Sequence, residues 1–362
     1  MKYLIITNHS YMLWQFRREL IEALLERGEV VISTPFTGHE EDLAALGCRC
    51  IETPFERRSV NPLSEMALIG TYRRLIRAER PDLVITYSIK PNIYAGLSCR
   101  ALKVPYCVQV QGLGTAFQKE ATAKAASLLY KAALAGARTV FFENSGNAGE
   151  FIRRRIIPRR KVTLLHGAGV NLTEFPYQPY PGENGQVRFL YLGRIMKEKG
   201  MDEFFAAAER LKEEYGEGVH FDLVGFFEDE YRETVEQLVS KNIISFHGFQ
   251  EDPRPLYAKA HCIVLPSYHE GMSNVLLEAA AVGRPVITTD IAGCREAVKA
   301  SGKKVSGLLC RRADTDSLIE TMHSFLDMTE TERIQMGRNG RKHIERMFDR
   351  SDVVRKVLEA IP

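Results

Sequence analysis

Short, uninterrupted apolar runs alternate with amphipathic segments along nearly the whole chain, and this alternation constrains the fold more than any other feature. Tyr3–Thr7, Val30–Thr34, Leu83–Tyr87, Tyr106–Val110, Thr139–Glu143 and Val162–Leu165 are each too short for a buried helix and rich in β-branched and aromatic residues. Helical spacing of apolar residues fills 13–27, 64–79, 91–102, 122–135 and 146–154 between them. A strand without polar alternation must be covered on both faces, and intervening helices supply the cover. The pattern therefore predicts α/β architecture with a doubly wound parallel sheet.

The same pattern restarts at Val187–Gly193 and continues through 221–224, 245–247, 262–265 and 286–289. Between the two blocks, Phe175–Gly185 packs three prolines and two glycines into eleven residues, the composition of a linker. A chain of 362 residues has room for two cores of ~170–190 residues each. The expected organisation is a Rossmann-like domain over 1–174, a linker over 175–186, a second Rossmann-like domain over 187–346, and a helix over 347–362 that can cross back to the first. Two such domains facing each other leave a cleft, and ligands bind at the carboxyl ends of the strands.

Composition narrows the partners. No apolar run approaches the ~20 residues that span a bilayer, and Met1–Thr7 reads as a first strand, not a signal peptide. Seven cysteines without a CxxC pair are expected as reduced core thiols in a cytoplasmic protein. Residues 1–180 hold 24 Lys and Arg against 16 Asp and Glu, whereas 181–362 hold 25 against 30. A basic first half predicts an acidic partner for it, either anionic lipid or a phosphorylated substrate, and no nucleic-acid partner is expected.

Two elements of the second half carry chemistry. After the strand Cys262–Leu265 comes Pro266-Ser267-Tyr268-His269-Glu270-Gly271-Met272-Ser273-Asn274, leading into a helix that contains Glu278. Gly271 permits a tight turn and Ser273 or Asn274 can cap the helix, whose free N–H groups and dipole suit a diphosphate. Glu278, about a turn inside, is placed to accept both hydroxyls of a ribose, and Glu270, in the loop, hydroxyls of a sugar beyond the phosphates. The plainer reading is a capping loop with two solvated glutamates. The second element, Gly193-Arg194-Ile195-Met196-Lys197-Glu198-Lys199-Gly200, follows a strand. Arg194 and Lys199 can neutralise a diphosphate leaving group without a divalent ion, while Lys197 reads as a solvent-facing neighbour. By itself this string is equally a basic surface turn.

Taken together with Gly283-x-Pro285-Val286-Ile287, the two elements resemble glycosyltransferase family four, of the GT-B fold, over essentially all of the second domain. The resemblance implies a retaining, metal-independent transferase with no cofactor and with the nucleotide sugar in the second domain. It makes Arg194, Lys199 and Glu270 the catalytic residues. Donor contacts would then come from Gly193, Gly271, Met272, Ser273, Asn274 and Glu278, with Gly248 and Phe249 of the His247-Gly248-Phe249 loop packing the base. Phe249 as a core residue is the alternative. UDP-N-acetylhexosamine is the donor expected from this likeness.

The first domain shows His9, Phe16-Arg17, Arg58-Ser59-x-Asn61-Pro62, Lys90-x-Asn92, Gly112-Leu113-Gly114 and Gly167-x-Gly169-Val170-Asn171. This combination resembles the branch that extends undecaprenyl-diphosphate-linked sugars, whose members include the N-acetylgalactosaminyltransferase acting on lipid-linked diacetylbacillosamine. It implies a lipid-linked saccharide acceptor held by His9, Arg17, Lys90, Asn92, Gln111, Gly112 and Gly114. Gln111 stands where some members carry an acidic residue. The glycines lack a full GxGxxG, so they do not signal a dinucleotide. Arg57-Arg58, Arg73-Arg74-x-x-Arg77-x-x-Arg80 and Arg153 to Lys161, beside Trp14, Phe16, Leu63 and Met66, predict a surface resting on anionic bilayer. The protein is thus expected on the inner face of the plasma membrane. A sugar-nucleotide epimerase of the same layout is the main rival; it would need acid and base groups on both faces of the sugar, and only Glu270 offers one.

Overall fold

The computed structural model describes residues 1–54, 62–114, 117, 120–182 and 184–361. Arg57, Arg58, Ser59 and Asn61 lie outside the described residues, as do the side chains of Pro62 and Leu63. The chain divides into two compact units, Met1–Ala168 with Arg350–Pro362, and Gly169–Asp349.

In the first unit, β1 (Lys2–Ile6), α1 (Ser10–Leu25), β2 (Glu29–Thr34), α2 (Glu40–Ala45), β3 (Arg49–Glu52), α3 (Pro62–Glu79) and β4 (Leu83–Tyr87) follow in order. After a π-helical turn at Pro91–Ala95 come α4 (Gly96–Leu102), β5 (Tyr106–Val110), α5 (Glu120–Leu134), β6 (Val140–Phe142), α6 (Ser145–Arg153) and β7 (Val162–Leu164). The sheet is parallel, in the order β3-β2-β1-β4-β5-β6-β7.

In the second unit, β8 (Val187–Leu192), α7 (Met201–Tyr215), β9 (Val219–Val224), α8 (Arg232–Ser240), β10 (Ser245–Phe246), α9 (Arg254–Lys259) and β11 (Cys262–Leu265) are followed by α10 (Asn274–Ala281), β12 (Val286–Thr289), α11 (Ala292–Arg295), β13 (Gly307–Cys310), α12 (Thr315–Leu326) and α13 (Glu330–Met347). Its parallel sheet runs β10-β9-β8-β11-β12-β13. Strand order reverses between β1 and β4 in one sheet and between β8 and β11 in the other. At such a reversal neighbouring loops turn away to opposite faces and leave a crevice at the carboxyl edge. The strands expected from the apolar runs are present, and β3 and β13, at sheet edges, join them.

The proline-rich segment differs from a free linker. Gln178 N donates to Val282 O at 3.1 Å, and the buried Arg284 guanidinium donates to the carbonyls of Gln178 (3.1 Å) and Pro179 (2.8 Å). Gln178 and Pro179 are thereby strapped to the rest of the second unit, because prolines remove donors but leave carbonyls that a buried arginine needs. The chain crosses between units at 168/169 and 349/350, where Val170 N donates to Phe348 O at 2.8 Å. The final helix α14 (Arg350–Ala360) belongs to the first unit. Arg350 pairs with Glu19 at 3.0 Å, and Val353, Val357 and Ile361 join the core beneath α1. Among the described residues, no helix is long and apolar enough to cross a membrane, and the seven cysteines are free thiols.

Candidate active site

The reversal between β8 and β11 gathers the residues singled out in the second half. The Arg194–Lys199 loop follows β8 and the Pro266–Ser273 loop follows β11. Gly200, at φ 74°, lets the two backbones touch, since a Cβ there would lie 2.2 Å from Pro266 O. Tyr268 N donates to Glu198 O at 2.8 Å across the same seam. The seam places Lys199 Nζ 2.5 Å from Glu270 Oε1, both largely buried, so the expected phosphate ligand and the expected sugar ligand are ion-paired with each other. Arg194 is paired in turn with Glu228, at 2.8 Å. Glu228 comes from the loop after β9, whose backbone is fixed by Glu228 N donating to Ile195 O at 3.0 Å. Lys197 is exposed and lies 3.8 Å from Asp202.

Ser273 caps α10, its hydroxyl accepting from Leu276 N at 3.4 Å. Ser267 Oγ and Asn274 Oδ1 are buried without a hydrogen-bond partner among the described residues. Such orphans are costly in a finished core, and a ligand atom reaching this loop would satisfy them. Glu278 is buried one turn into the helix and accepts from Tyr257 Oη at 3.0 Å. Burial and then the Glu278 charge hold the Tyr257 hydroxyl well above its ordinary range, so it stays a donor. Met272 is buried in the core, leaving only its backbone to face a ligand. His269 is held below its ordinary range by burial and next by Arg312, against Glu198 and Glu270.

Gly193 N donates to Val224 O at 3.0 Å, and Gly248 O accepts from Gly225 N at 2.9 Å, so the loops after β8, β9 and β10 are laced together. Phe249 is not a core residue: it is 53% exposed, edge-on to the exposed Phe226. His247 beside it is anchored through Nε2 to Asp222 at 2.6 Å. Burial alone would raise the Asp222 carboxyl, but hydrogen bonds from His220, His247 and Arg188 hold it down at about 2. Glu228, from the loop after β9, and Tyr257, from α9, join the expected residues with no local sequence signal of their own, whereas Ser267 lies in the very loop after β11 that the sequence singles out.

The first unit has the same layout at its own reversal, where Ser88 Oγ donates to Asn8 Oδ1 at 2.5 Å between the β1 and β4 loops. His9 Nδ1 lies 3.3 Å from Thr37 Oγ1 at the start of α1. Lys90, heading the π-helical turn, pairs with Glu65 at 2.8 Å. Gln111 Nε2 contacts Met12 Sδ at 3.5 Å, in the 111–114 stretch that carries Gly112 and Gly114. Two of the expected acceptor contacts are buried. Arg17 is 4% exposed, paired with the buried Glu143 at 2.6 Å, and Asn92 is 1% exposed, accepting from Thr86 Oγ1 (2.8 Å) and donating to Gln109 O (2.9 Å). Both help to brace the sheet end, and Arg17 Nε has no hydrogen-bond partner among the described residues. Among the described residues, no group of three or more His, Cys, Asp or Glu side chains is arranged to hold a metal ion.

Known proteins match both units. A family model described as glycosyl transferase 4-like domain covers residues 13–168, and one described as glycosyl transferases group 1 covers 186–328. The chain is 25% identical over 353 residues to N,N'-diacetylbacillosaminyl-diphospho-undecaprenol alpha-1,3-N-acetylgalactosaminyltransferase of Campylobacter jejuni, spanning 92% of this chain and 91% of that protein. It is 26% identical over 310 residues to UDP-Gal:alpha-D-GlcNAc-diphosphoundecaprenol alpha-1,3-galactosyltransferase of Escherichia coli, spanning 80% and 77%. Among solved structures, Anabaena HepE in complex with UDP and glucose superposes with a TM-score of 0.78 at 16% identity, over 99% of this chain and 98% of that one. Two parallel Rossmann-like units, two adjoining family matches and full-length relatives that transfer sugars lead to one conclusion: the chain is a glycosyltransferase of the GT-B fold, related to the glycosyl transferase 4-like enzymes.

Proposed function

We propose that the protein transfers a sugar, an N-acetylhexosamine, from a UDP-sugar to an undecaprenyl-diphosphate-linked saccharide in surface-glycan or glycoprotein-glycan assembly, with retention at the anomeric carbon. The observation that carries this reading is the β8–β11 crevice, where two cations already held by carboxylates meet a capped helix start with two unpartnered polar atoms. A UDP diphosphate replaces Glu228 at Arg194 and shares Lys199 with Glu270. Charge on the departing β-phosphate is then met by preorganised cations as the glycosidic bond breaks. Glu278 takes the ribose hydroxyls, Asn274 and the α10 N–H groups the phosphates, and Glu270 the sugar hydroxyls. The departing phosphate can take the acceptor proton, so no protein base is required.

Support for the lipid-linked acceptor comes from the relatives, which by name use diphospho-undecaprenol sugars. Lys90, held by Glu65 at the β4 end, is the group placed to meet an acceptor diphosphate. A membrane-facing role for the first unit is supported by Met66 and Leu128, 69% and 70% exposed, on α3 and α5, which flank α4. Arg153 and Arg154 contribute less to such a surface because both pair with Glu150. Trp14, half-buried and stacked on His39, is likewise committed within the first unit.

The test is transfer from a panel of UDP-sugars to a synthetic undecaprenyl-diphosphate sugar, with the product's mass and anomeric configuration read out. Retention, with activity unaffected by EDTA, is expected. Conversion of the UDP-sugar without any transferred product would replace this reading with the epimerase.

A further inference from the structure

Away from the β8–β11 crevice, the second unit holds a cavity of about 620 Å3 between α13 and the segment that leaves α11, a size that suits a small ligand. Lys342 and Arg346 line it from α13, Lys299 and Lys304 from the opposite wall, and Val298 and Met347 supply apolar surface. His343 Nε2 contacts Glu296 O at 3.2 Å and joins the two walls.

Some cations of the unit have a carboxylate partner and others do not, and four of the second kind line this one cavity. Arg194, Lys199, Arg210, Arg254, Arg295 and Arg311 each have a carboxylate partner. None of Lys299, Lys304, Lys342 and Arg346 is ion-paired among the described residues. The cavity's two acids are Glu296 and Glu345, the latter paired with Arg341 at 2.7 Å, so its four cations outnumber its acids. The C-terminal end of a helix favours Lys342 and Arg346 through its dipole, but that field does not account for Lys299 and Lys304 across the gap. Their charge reaches inward too: His343 is held below its ordinary range by burial first, with Lys299 and Arg346 adding to it against the Glu296 carbonyl. All four cations are solvent-exposed, so water and salt screen much of their mutual repulsion, and an anion bound among them would relieve the rest.

We propose that this cavity is a second anion site, which takes a phosphate-bearing ligand whose organic part rests on Val298 and Met347. None of its lining residues belongs to the loops after β8 and β11. Two sources present the same chemistry, a soluble phosphate ester and a phospholipid headgroup, and the experiment separates them. Inorganic pyrophosphate is titrated calorimetrically into the protein in the presence of excess UDP, and flotation is measured with phosphatidylcholine vesicles containing phosphatidylglycerol. Lys299→Gln/Lys342→Gln is compared with wild type and with Lys241→Gln/Lys259→Gln, a variant of equal net charge altered elsewhere on the unit. A pyrophosphate site that persists under UDP and weakens at least about tenfold only in the cavity variant supports a soluble ligand. Vesicle binding that falls only in the cavity variant, without pyrophosphate binding, supports a headgroup. If wild type binds neither probe, or the cavity variant behaves like the control variant on both, the proposal is overturned. Equal melting temperatures and equal UDP affinity in the variants establish that folding is not the cause.

Discussion

Gly293 offers a sharp way to disturb the proposed chemistry without touching a charged group. It lies in α11, and a Cβ built on it would sit 2.5 Å from the carbonyl oxygens of both Glu270 and Gly271. Ordinary contact begins near 3.4 Å, so helix and loop must part by about 0.9 Å, and both obstacles are backbone that cannot swing aside. Overpacking typically costs about 1–3 kcal/mol, and in a single-turn helix of four residues alanine's propensity advantage offsets little of it, so Gly293→Ala should lose about 1–3 kcal/mol of stability. The larger effect falls on Glu270, whose carboxylate is matched to Lys199 at 2.5 Å. Misplacing a reacting group by about 1 Å costs on the order of 100-fold, or about 2.7 kcal/mol of activation free energy. Gly293→Ala should therefore lower kcat/KM about 100-fold in an initial-rate transfer assay, while remaining folded by calorimetry. Gly149→Ala, whose Cβ would meet nothing within 4 Å, controls for helix propensity. Wild-type turnover in Gly293→Ala would refute the idea that this contact sets the position of Glu270.

Other perturbations probe the same region. Lys199→Ala and Arg194→Ala should each lower kcat by roughly two powers of ten or more, as loss of a group that stabilises transition-state charge does; unchanged turnover in both would remove them from the mechanism. Glu228→Gln frees the Arg194 guanidinium from its partner and should tighten UDP but not uridine in calorimetric titrations, and weaker UDP binding would show Glu228 to be a support instead of a competitor. Asp222, held at about 2 against an ordinary 3.8, stabilises the fold above roughly pH 4 and loses that contribution as the pH falls towards 2, by about 2 kcal/mol in all. The melting-temperature gap between wild type and Asp222→Asn should thus narrow between pH 4 and pH 2, and a constant gap would refute the linkage.

Most of the sheet architecture is legible in the sequence because a parallel strand covered on both faces leaves an unbroken apolar run. Arg49–Glu52 and Gly307–Cys310 escape that logic: at a sheet edge one side needs no cover, and the residues there are mixed. Phe175–Gly185 is legible as a proline-rich connection, but proline content reports the absence of donors and says nothing of Arg284, which binds the carbonyls of Gln178 and Pro179 from 106 and 105 residues away. At the candidate site, spacing within one loop locates Arg194, Lys199, Glu270 and Glu278. It cannot show that Glu228 reaches Arg194 over 34 residues or that Glu270 reaches Lys199 over 71. Arg17 and Asn92 stand near strand ends just as Lys90 does, and the sequence does not show that the first two are buried while Lys90 is partly exposed.

The return of α14 to the first unit sets an order of events during synthesis. Without residues 350–361, the hydrophobic surface of α1 that meets Val353, Val357 and Ile361 has nothing against it. A ribosome that has released Ala168 must still make the whole of Gly169–Asp349 before that cover emerges, an interval of roughly 10–40 s at bacterial rates. The second unit, whose two ends are joined by the Val170–Phe348 hydrogen bond, can meanwhile fold as a closed insert. The half begun first is therefore completed last, and nascent chains stalled before residue 350 should expose an apolar groove that chaperones can hold.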